Sequence, residues 1–168
     1  MCLFKKKKDV TGLFTAAVDN NYTFVDLGLS VKWANKNVGA ETPEQVGCYF
    51  NYDETESRYH TLPTVDEVRE LFEKCKIKYD KKRNGFDVVG VNGNNIFIPI
   101  GGEMKGNDHY EGAYFWTNSD HEEEGYMPGY KYYGCVYLRN KYLKNVKTEV
   151  NLLKRDGFWI NVREVERG

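Results

Sequence analysis

The spacing of apolar positions changes character along the chain. Residues Met1 to Asn21 hold a lysine cluster and a short mixed segment without sustained period, which reads as an N-terminal arm outside the core. From Tyr22 the pattern turns extended, and Tyr22–Val25 and Val31–Ala34, flanking Gly28, predict a hairpin. Leu62-Pro63-Thr64-Val65-Asp66-Glu67 then supplies a Thr N-cap with Glu three residues on, the reciprocal capping box. Val65, Val68, Leu71, Phe72 and Cys75 follow at three- and four-residue spacing. The spacing predicts a helix from Thr64 to about Cys75, with one apolar stripe against the core.

Two apolar runs, Gly85–Val91 and Asn95–Ile100, are joined through Asn92-Gly93-Asn94, residues that tolerate positive φ, and predict a second hairpin. Gly101–Gly112 reads as a polar, glycine-rich loop, Ala113–Thr117 as a strand, Ser119–Gly129 as a second polar loop, and Tyr130–Leu138 and Gly157–Val165 as strands. In the last, Phe158, Ile160 and Val162 alternate with Trp159, Asn161 and Arg163 in the period of a half-buried strand. Between them, Asn140, Tyr142, Asn145 and Asn151 read as an asparagine-rich turn region. They are also residue types commonly encoded by codons varied at adenines, as a diversity-generating retroelement would vary them. About seven or eight short strands and one clear helix make an α+β domain with mixed or antiparallel sheets, residues 22–168, behind an arm of residues 1–21.

Composition bounds this picture. Hydrophobic residues at 40% and charged residues at 29% of 168 positions imply one soluble core, and no apolar run approaches the roughly 18 residues that span a bilayer. A net charge of −1, from 24 basic and 25 acidic side chains, gives no field that attracts phosphate backbones or anionic lipid, so neither nucleic-acid binding nor membrane insertion is expected. Cys2, Cys48, Cys75 and Cys135 lie far apart with no C-x-x-C pair, and are expected to be free, mostly buried thiols, although an even count permits two disulfides. The opening residues place their apolar side chains before the basic run, so no export signal is expected. An intracellular or virion protein, and an exported protein whose signal has been removed, both fit.

Three blocks in fixed order carry a resemblance: Val25–Ala34 with Asn37–Ala40 and Pro43-Glu44, then Leu62-Pro63-Thr64, then Val91–Asn94 leading to Ile96–Pro99. They resemble the Fibrobacter succinogenes major paralogous domain family, which is widespread in Bacteroidetes. Tyr114–Thr117 is similar to that family's Tyr-Trp-Ser strand, and Gly157–Arg163 resembles its closing motif. The similarity runs from Tyr22 to Val165. It implies a C-type-lectin-like fold, with first and last strands paired and a long irregular loop region on one side, and it implies neither an enzyme nor a fixed cofactor. The chain departs from the family at Asn35 and Lys36, where Cys is frequent, in the short polar Asn51–Tyr59, and at Glu164, where Pro follows Arg.

No constellation for catalysis or metal binding stands out. His60, His109 and His121 are scattered, without spacing that sets two imidazoles on one helix face. Asp108, Asp120 and Glu122–Glu124 offer oxygens for calcium but read more simply as solvated acidic loops, and Trp116-Thr117-Asn118 only weakly resembles the Trp-Asn-Asp strand of calcium-dependent sugar binders. Gly-x-Ser-x-Gly and phosphate-loop motifs are absent. Catalytic residues, metal ligands and cofactors are therefore not expected. The tyrosine-rich stretch Tyr126–Tyr142 is the suggestive part, because tyrosine gives contact area at low rotamer cost together with a hydroxyl. Alternation sends Tyr133 and Tyr137 to one face and Tyr132 to the other. The expected ligand face is Tyr110, Trp116, Asn118, Tyr126, Tyr130, Tyr132, Arg139, Asn140 and Tyr142, with Lys5, Lys6, Lys7 and Lys8 as a docking arm. These imply a recognition module for a protein or glycan, from a gut bacterium or its phage. The alternative is an architectural component of a larger assembly such as a phage virion, held to other subunits through the arm.

Overall fold

The computed structural model describes residues 5–8, 14–17, 21–58, 61–101, 112–118, 130–140, 145–154 and 158–168. In chain order the strands and helices are β1 (Lys5–Lys8), β2 (Phe14–Ala17), β3 (Phe24–Val25), β4 (Lys32–Ala34), β5 (Tyr49–Phe50), α1 (Tyr52–Arg58), α2 (Val65–Lys74) and β6 (Lys76–Asp80). There follow β7 (Gly85–Val89), β8 (Asn95–Pro99), β9 (Gly112–Trp116), β10 (Tyr130–Asn140), β11 (Asn145–Lys154), β12 (Ile160–Asn161) and β13 (Val165–Glu166). The result is a mixed α+β protein built mostly from antiparallel sheets. A five-stranded sheet has the order β11-β10-β9-β12-β5, and three-stranded sheets run β13-β4-β3 and β6-β7-β8. Within the five-stranded sheet only the β12–β9 contact is parallel.

Strand alternation divides the core between the two faces of the large sheet. On one side Ala113, Phe115 and Val136 meet Val68 and Leu71 of α2, and the cluster continues through Leu27, Trp33, Phe86, Val88, Ile96 and Ile98. On the other, Tyr114, Trp116, Tyr133 and Cys135 pack with Phe50, Tyr52, Leu62, Ile160 and Val162. The helix approaches closely because β10 has a glycine beneath it. A Cβ on Gly134 would lie 2.8 Å from both Val68 and the Phe115 ring. Gly28 has φ +73 in the turn between β3 and β4, a conformation that favours glycine.

α2 starts where the capping box places it. Glu67 N–H donates to Thr64 Oγ1 at 3.1 Å, and Thr64 N–H donates to Glu67 Oε2 at 2.7 Å. The Glu67 carboxylate also receives the Arg167 guanidinium at 2.6 Å, tying the helix start to the C-terminal end. At Cys75 the backbone turns extended and runs directly into β6, where Lys76 and Lys78 are exposed and Ile77 and Tyr79 half-buried. The predicted hairpins form, β3 with β4 and β7 with β8.

Several expectations need correction. The single helix becomes two among the described residues, because Asn51 caps α1: Glu54 N–H donates to Asn51 Oδ1 at 2.9 Å. The asparagine-rich region is not a turn throughout, since Asn145 and Asn151 lie on β11. The closing strand is divided into β12 and β13, and it is not half-buried. Asn161 and Arg163 are as buried as Ile160 and Val162, because chain covers both sides of the segment. The cysteines are not all free: Cys75 is a buried free thiol, whereas Cys48 is disulfide-bonded. Pairing depends on spatial approach, which spacing along the sequence does not report.

Glu70 fixes α2 to the turn before β4. Its carboxylate takes Lys74 Nζ at 2.8 Å, and both the backbone N–H (3.0 Å) and the hydroxyl of Ser30. The Lys74 hydrogen bond first, and the Ser30 hydroxyl next, hold its pKa down at about 2, against an ordinary 4.5. Between these values the unfolded chain binds the proton and the folded chain does not. The stabilisation is therefore complete above pH 4.5 and lost as pH falls toward about 2. Glu70→Gln is expected to lower stability at neutral pH and to flatten the loss of stability on acidification through that window, as read by urea unfolding at successive pH values.

Candidate functional site

The sheet formed by β9, β10 and β11 carries the tyrosine-rich stretch, and its register fixes which side chains meet. On one face Tyr133 is opposite Trp116 and Asn151, Cys135 is opposite Tyr114 and Glu149, and Tyr137 is opposite Lys147. Exposure rises across this face toward β11. Trp116 is fully buried, Tyr133 is buried, Tyr137 is half-buried, and Lys147 and Glu149 are exposed. The Tyr137 hydroxyl donates to Glu149 Oε1 at 2.8 Å, so an aromatic ring and a carboxylate are held side by side at the margin. The face therefore combines ring surface with hydrogen-bonding groups of both charges, which suits contact with polar partners.

The expected ligand residues divide into two groups. β9 runs from Gly112, opposite Tyr137, to Trp116, opposite Tyr133. At strand rise those ends stand roughly 13 Å apart. Residues 102–111 and 119–129, the two polar stretches of the expected face, lie outside the described residues, and they adjoin β9 in sequence at these opposite ends. Asn118 and the backbone of Tyr130 and Tyr132 lie toward the second end, whereas Arg139 and Asn140 lie toward the first. At the second end Thr117 ties the end of β9 to β10, with its N–H at 3.2 Å and its hydroxyl at 2.9 Å both donating to the Tyr132 carbonyl. Asn118 N–H donates to Pro63 O at 3.0 Å, and its side chain is exposed.

Trp116 must be removed from the ligand face. It has no exposed surface, its indole N–H donates to Phe50 O at 2.8 Å, and its ring meets Tyr52 edge-on at 5.5 Å. Large aromatic area on an inward strand position is better satisfied by the core than by water. Tyr132 is half-buried on the opposite face from Tyr133, as alternation predicts. Lys131, interleaved among the tyrosines, is buried, with Nζ 4.7 Å from the centre of the Tyr52 ring. Tyr110, Tyr126 and Tyr142 lie outside the described residues, as do the side chains of Tyr130, Arg139, Asn140 and Lys5 to Lys8.

Compared with protein-family models, curated proteins and solved structures, the chain matches none. Function has to be argued from geometry. Among the described residues no group of three or more His, Cys, Asp and Glu converges as a metal ion would need. The acidic residues weighed for calcium, Asp108, Asp120 and Glu122–Glu124, lie outside them. No helix among the described residues is long and apolar enough to cross a membrane.

Sequence periodicity missed a buried polar seam behind the sheet. Asn161 Nδ2 donates to Val46 O at 3.1 Å and Cys48 O at 3.0 Å, and Asn37 Nδ2 donates to Val46 O at 2.8 Å. Arg163, without exposed surface, donates from Nε to Asn37 Oδ1 at 2.8 Å, and burial pulls its guanidinium down to about 9. Its Nη2, like Trp33 Nε1, has no partner among the described residues. This seam positions β5 and β12 and so the strand β9 beside them. The available signal was the alternation of Asn161 and Arg163 with apolar residues, which reads as an exposed face until chain is known to cover both sides.

Trp116→Phe deletes the indole donor to Phe50 O and puts a smaller ring in the space the buried indole fills. It is expected to lower stability by about 1–3 kcal/mol in urea unfolding. Asn118→Ala, at an exposed position, is expected to change stability by less than about 0.5 kcal/mol.

Proposed function

We propose that this chain is a non-catalytic recognition module for a protein or glycan, with a C-type-lectin-like fold such as the family it resembles implies. The observation that carries the reading is the graded face of β9, β10 and β11. Core tyrosines pass there into half-buried Tyr137 and then into the exposed Asn145, Lys147, Glu149 and Asn151. Recognition surfaces of this make-up use rigid rings for area and the polar margin for specificity. The last strand, β13, pairs with β4 and shares its sheet with β3, the first strand of residues 22–168, which supports the lectin-like reading in bringing first and last strands into one sheet. The disulfide at Cys48 suits an oxidising compartment, as expected of a displayed domain of a gut bacterium or its phage.

One observation favours the architectural alternative. Lys5–Lys8 pair antiparallel with Phe14–Ala17 in a two-stranded sheet of their own. An isolated hairpin is marginal in water and gains stability by packing on something else, such as a neighbouring subunit of a virion.

A glycan array together with pull-down from a polysaccharide- or cell-surface preparation separates these readings. The purified chain is expected to bind a defined component, and a variant with Tyr137, Asn145 and Asn151 replaced by Ala, all on the graded face, is expected to lose at least about ten-fold in affinity. Equal background binding by both proteins contradicts the recognition reading. Retention of a particle-bound state that depends on residues 1–21 supports the architectural one.

A further inference from the structure

β11 is an outer strand of the five-stranded sheet. It pairs with β10, and among the described residues no strand pairs with its other side. It is 10 residues long and contains no proline, and the irregularity in its pairing is confined to the hairpin end, between Leu138 and Asn140. Such a strand turns a row of backbone N–H and C=O groups outward, a template for pairing with another strand. Its side chains alternate cleanly. Asn145, Lys147, Glu149 and Asn151 are exposed, while Val146, Thr148 and Val150 are half-buried.

Symmetry makes this edge selective. Two copies joined edge to edge by antiparallel pairing are related by a two-fold axis perpendicular to the sheet, so exposed residues face exposed residues. With the axis on Thr148, Lys147 stands opposite Glu149 of the second copy, Val146 opposite Val150, Thr148 opposite itself, and Asn145 opposite Asn151. Moving the axis one residue in either direction opposes Glu149 to Glu149, or Lys147 to Lys147, and like charges directly opposite are unfavourable. Charged residues on an edge ordinarily guard it against pairing. Here the two charges guard against other registers and complement each other in this one. Beside the strand, an open groove of about 240 Å³ lined by Arg69, Phe72, Glu73, Thr148, Glu149 and Val150 borders the same edge.

We propose that a second copy of this chain pairs on β11, antiparallel and centred on Thr148, so that the two sheets become one. Nothing in this step depends on the ligand proposed above. The geometry and charge pattern of the strand alone carry it.

Sedimentation equilibrium of the full chain up to roughly 1 mM, the range in which small interfaces associate, tests it. A reversible monomer–dimer equilibrium is expected. Lys147→Glu and Glu149→Lys are each expected to raise the dimer dissociation constant about ten-fold or more, since each turns two attractive cross-strand pairs repulsive. The double exchange, Lys147→Glu with Glu149→Lys, restores the pairing and is expected to return the constant to within about three-fold of the original. A chain monomeric throughout, single variants that dimerise normally, or a double variant no better than the singles would overturn the proposal. Circular dichroism checks that the variants fold. If one does not, amide exchange of the unaltered chain decides, because β11 amides must slow as concentration rises, and concentration-independent exchange refutes the pairing.

Discussion

The burial of the segment from Ile160 to Val165 is the constraint on which the rest of the structure depends. Its residues are buried without interruption, and its backbone pairs with several separate parts of the chain. Ile160 pairs with Phe50, Val162 O accepts from Val38 N–H at 2.9 Å, Glu164 O accepts from Ala34 N–H at 3.0 Å, and Val165 pairs with Trp33. One short stretch thereby joins the large sheet to the sheet that holds β3 and β4. Burying polar groups on such a stretch costs free energy unless each finds a partner. Asn161 finds two carbonyls, the Glu164 carboxylate receives the Thr61 hydroxyl, and Arg163 finds Asn37. The lowered pKa of Arg163 and the raised pKa of Glu164 both follow from burial, and they show what the seam costs as well as what it fixes.

With β13 and β4 gathered at this seam, β10 and β11 extend the large sheet away from it and are freer to serve contact. One face of β10 is closed by α2 over Gly134, and on the other face Tyr133 is buried in the core while Tyr137 is half-buried toward the margin. The strand next to the seam, β9, is buried throughout, whereas β11, two strands away, alternates between half-buried and exposed. Distance from the closing segment sets the exposure, and exposure sets which residues are available to a partner.

The parts of this fold legible in the sequence are those set by short-range rules. The capping box at Thr64, the turns at Gly28 and at Asn92–Asn94, and the alternation of Tyr133 against Tyr132 each follow from residues within a few positions of one another. What escaped depends on long-range covering. Asn161 and Arg163 alternate with apolar residues as on a half-exposed strand, and only the chain packed on their second side makes them core. Trp116 looks equally at home in a ligand face or a core until Phe50 O is found against its indole nitrogen. α1 escaped because its signal, Asn51 with Glu54, stands before a segment without apolar period, and β11 because asparagine suggests a turn more readily than a strand edge.

Native-state hydrogen exchange tests the central role of the closing segment most directly. The amides of Ala34, Val38 and Val165 donate to Glu164 O, Val162 O and Thr61 O, so they can open only when the seam opens. They are expected to exchange with the free energy of global unfolding, and to remain protected when β10 and β11 amides already exchange through local opening. Exchange of Ala34, Val38 and Val165 at a lower free energy than the β10–β11 hairpin would contradict this account.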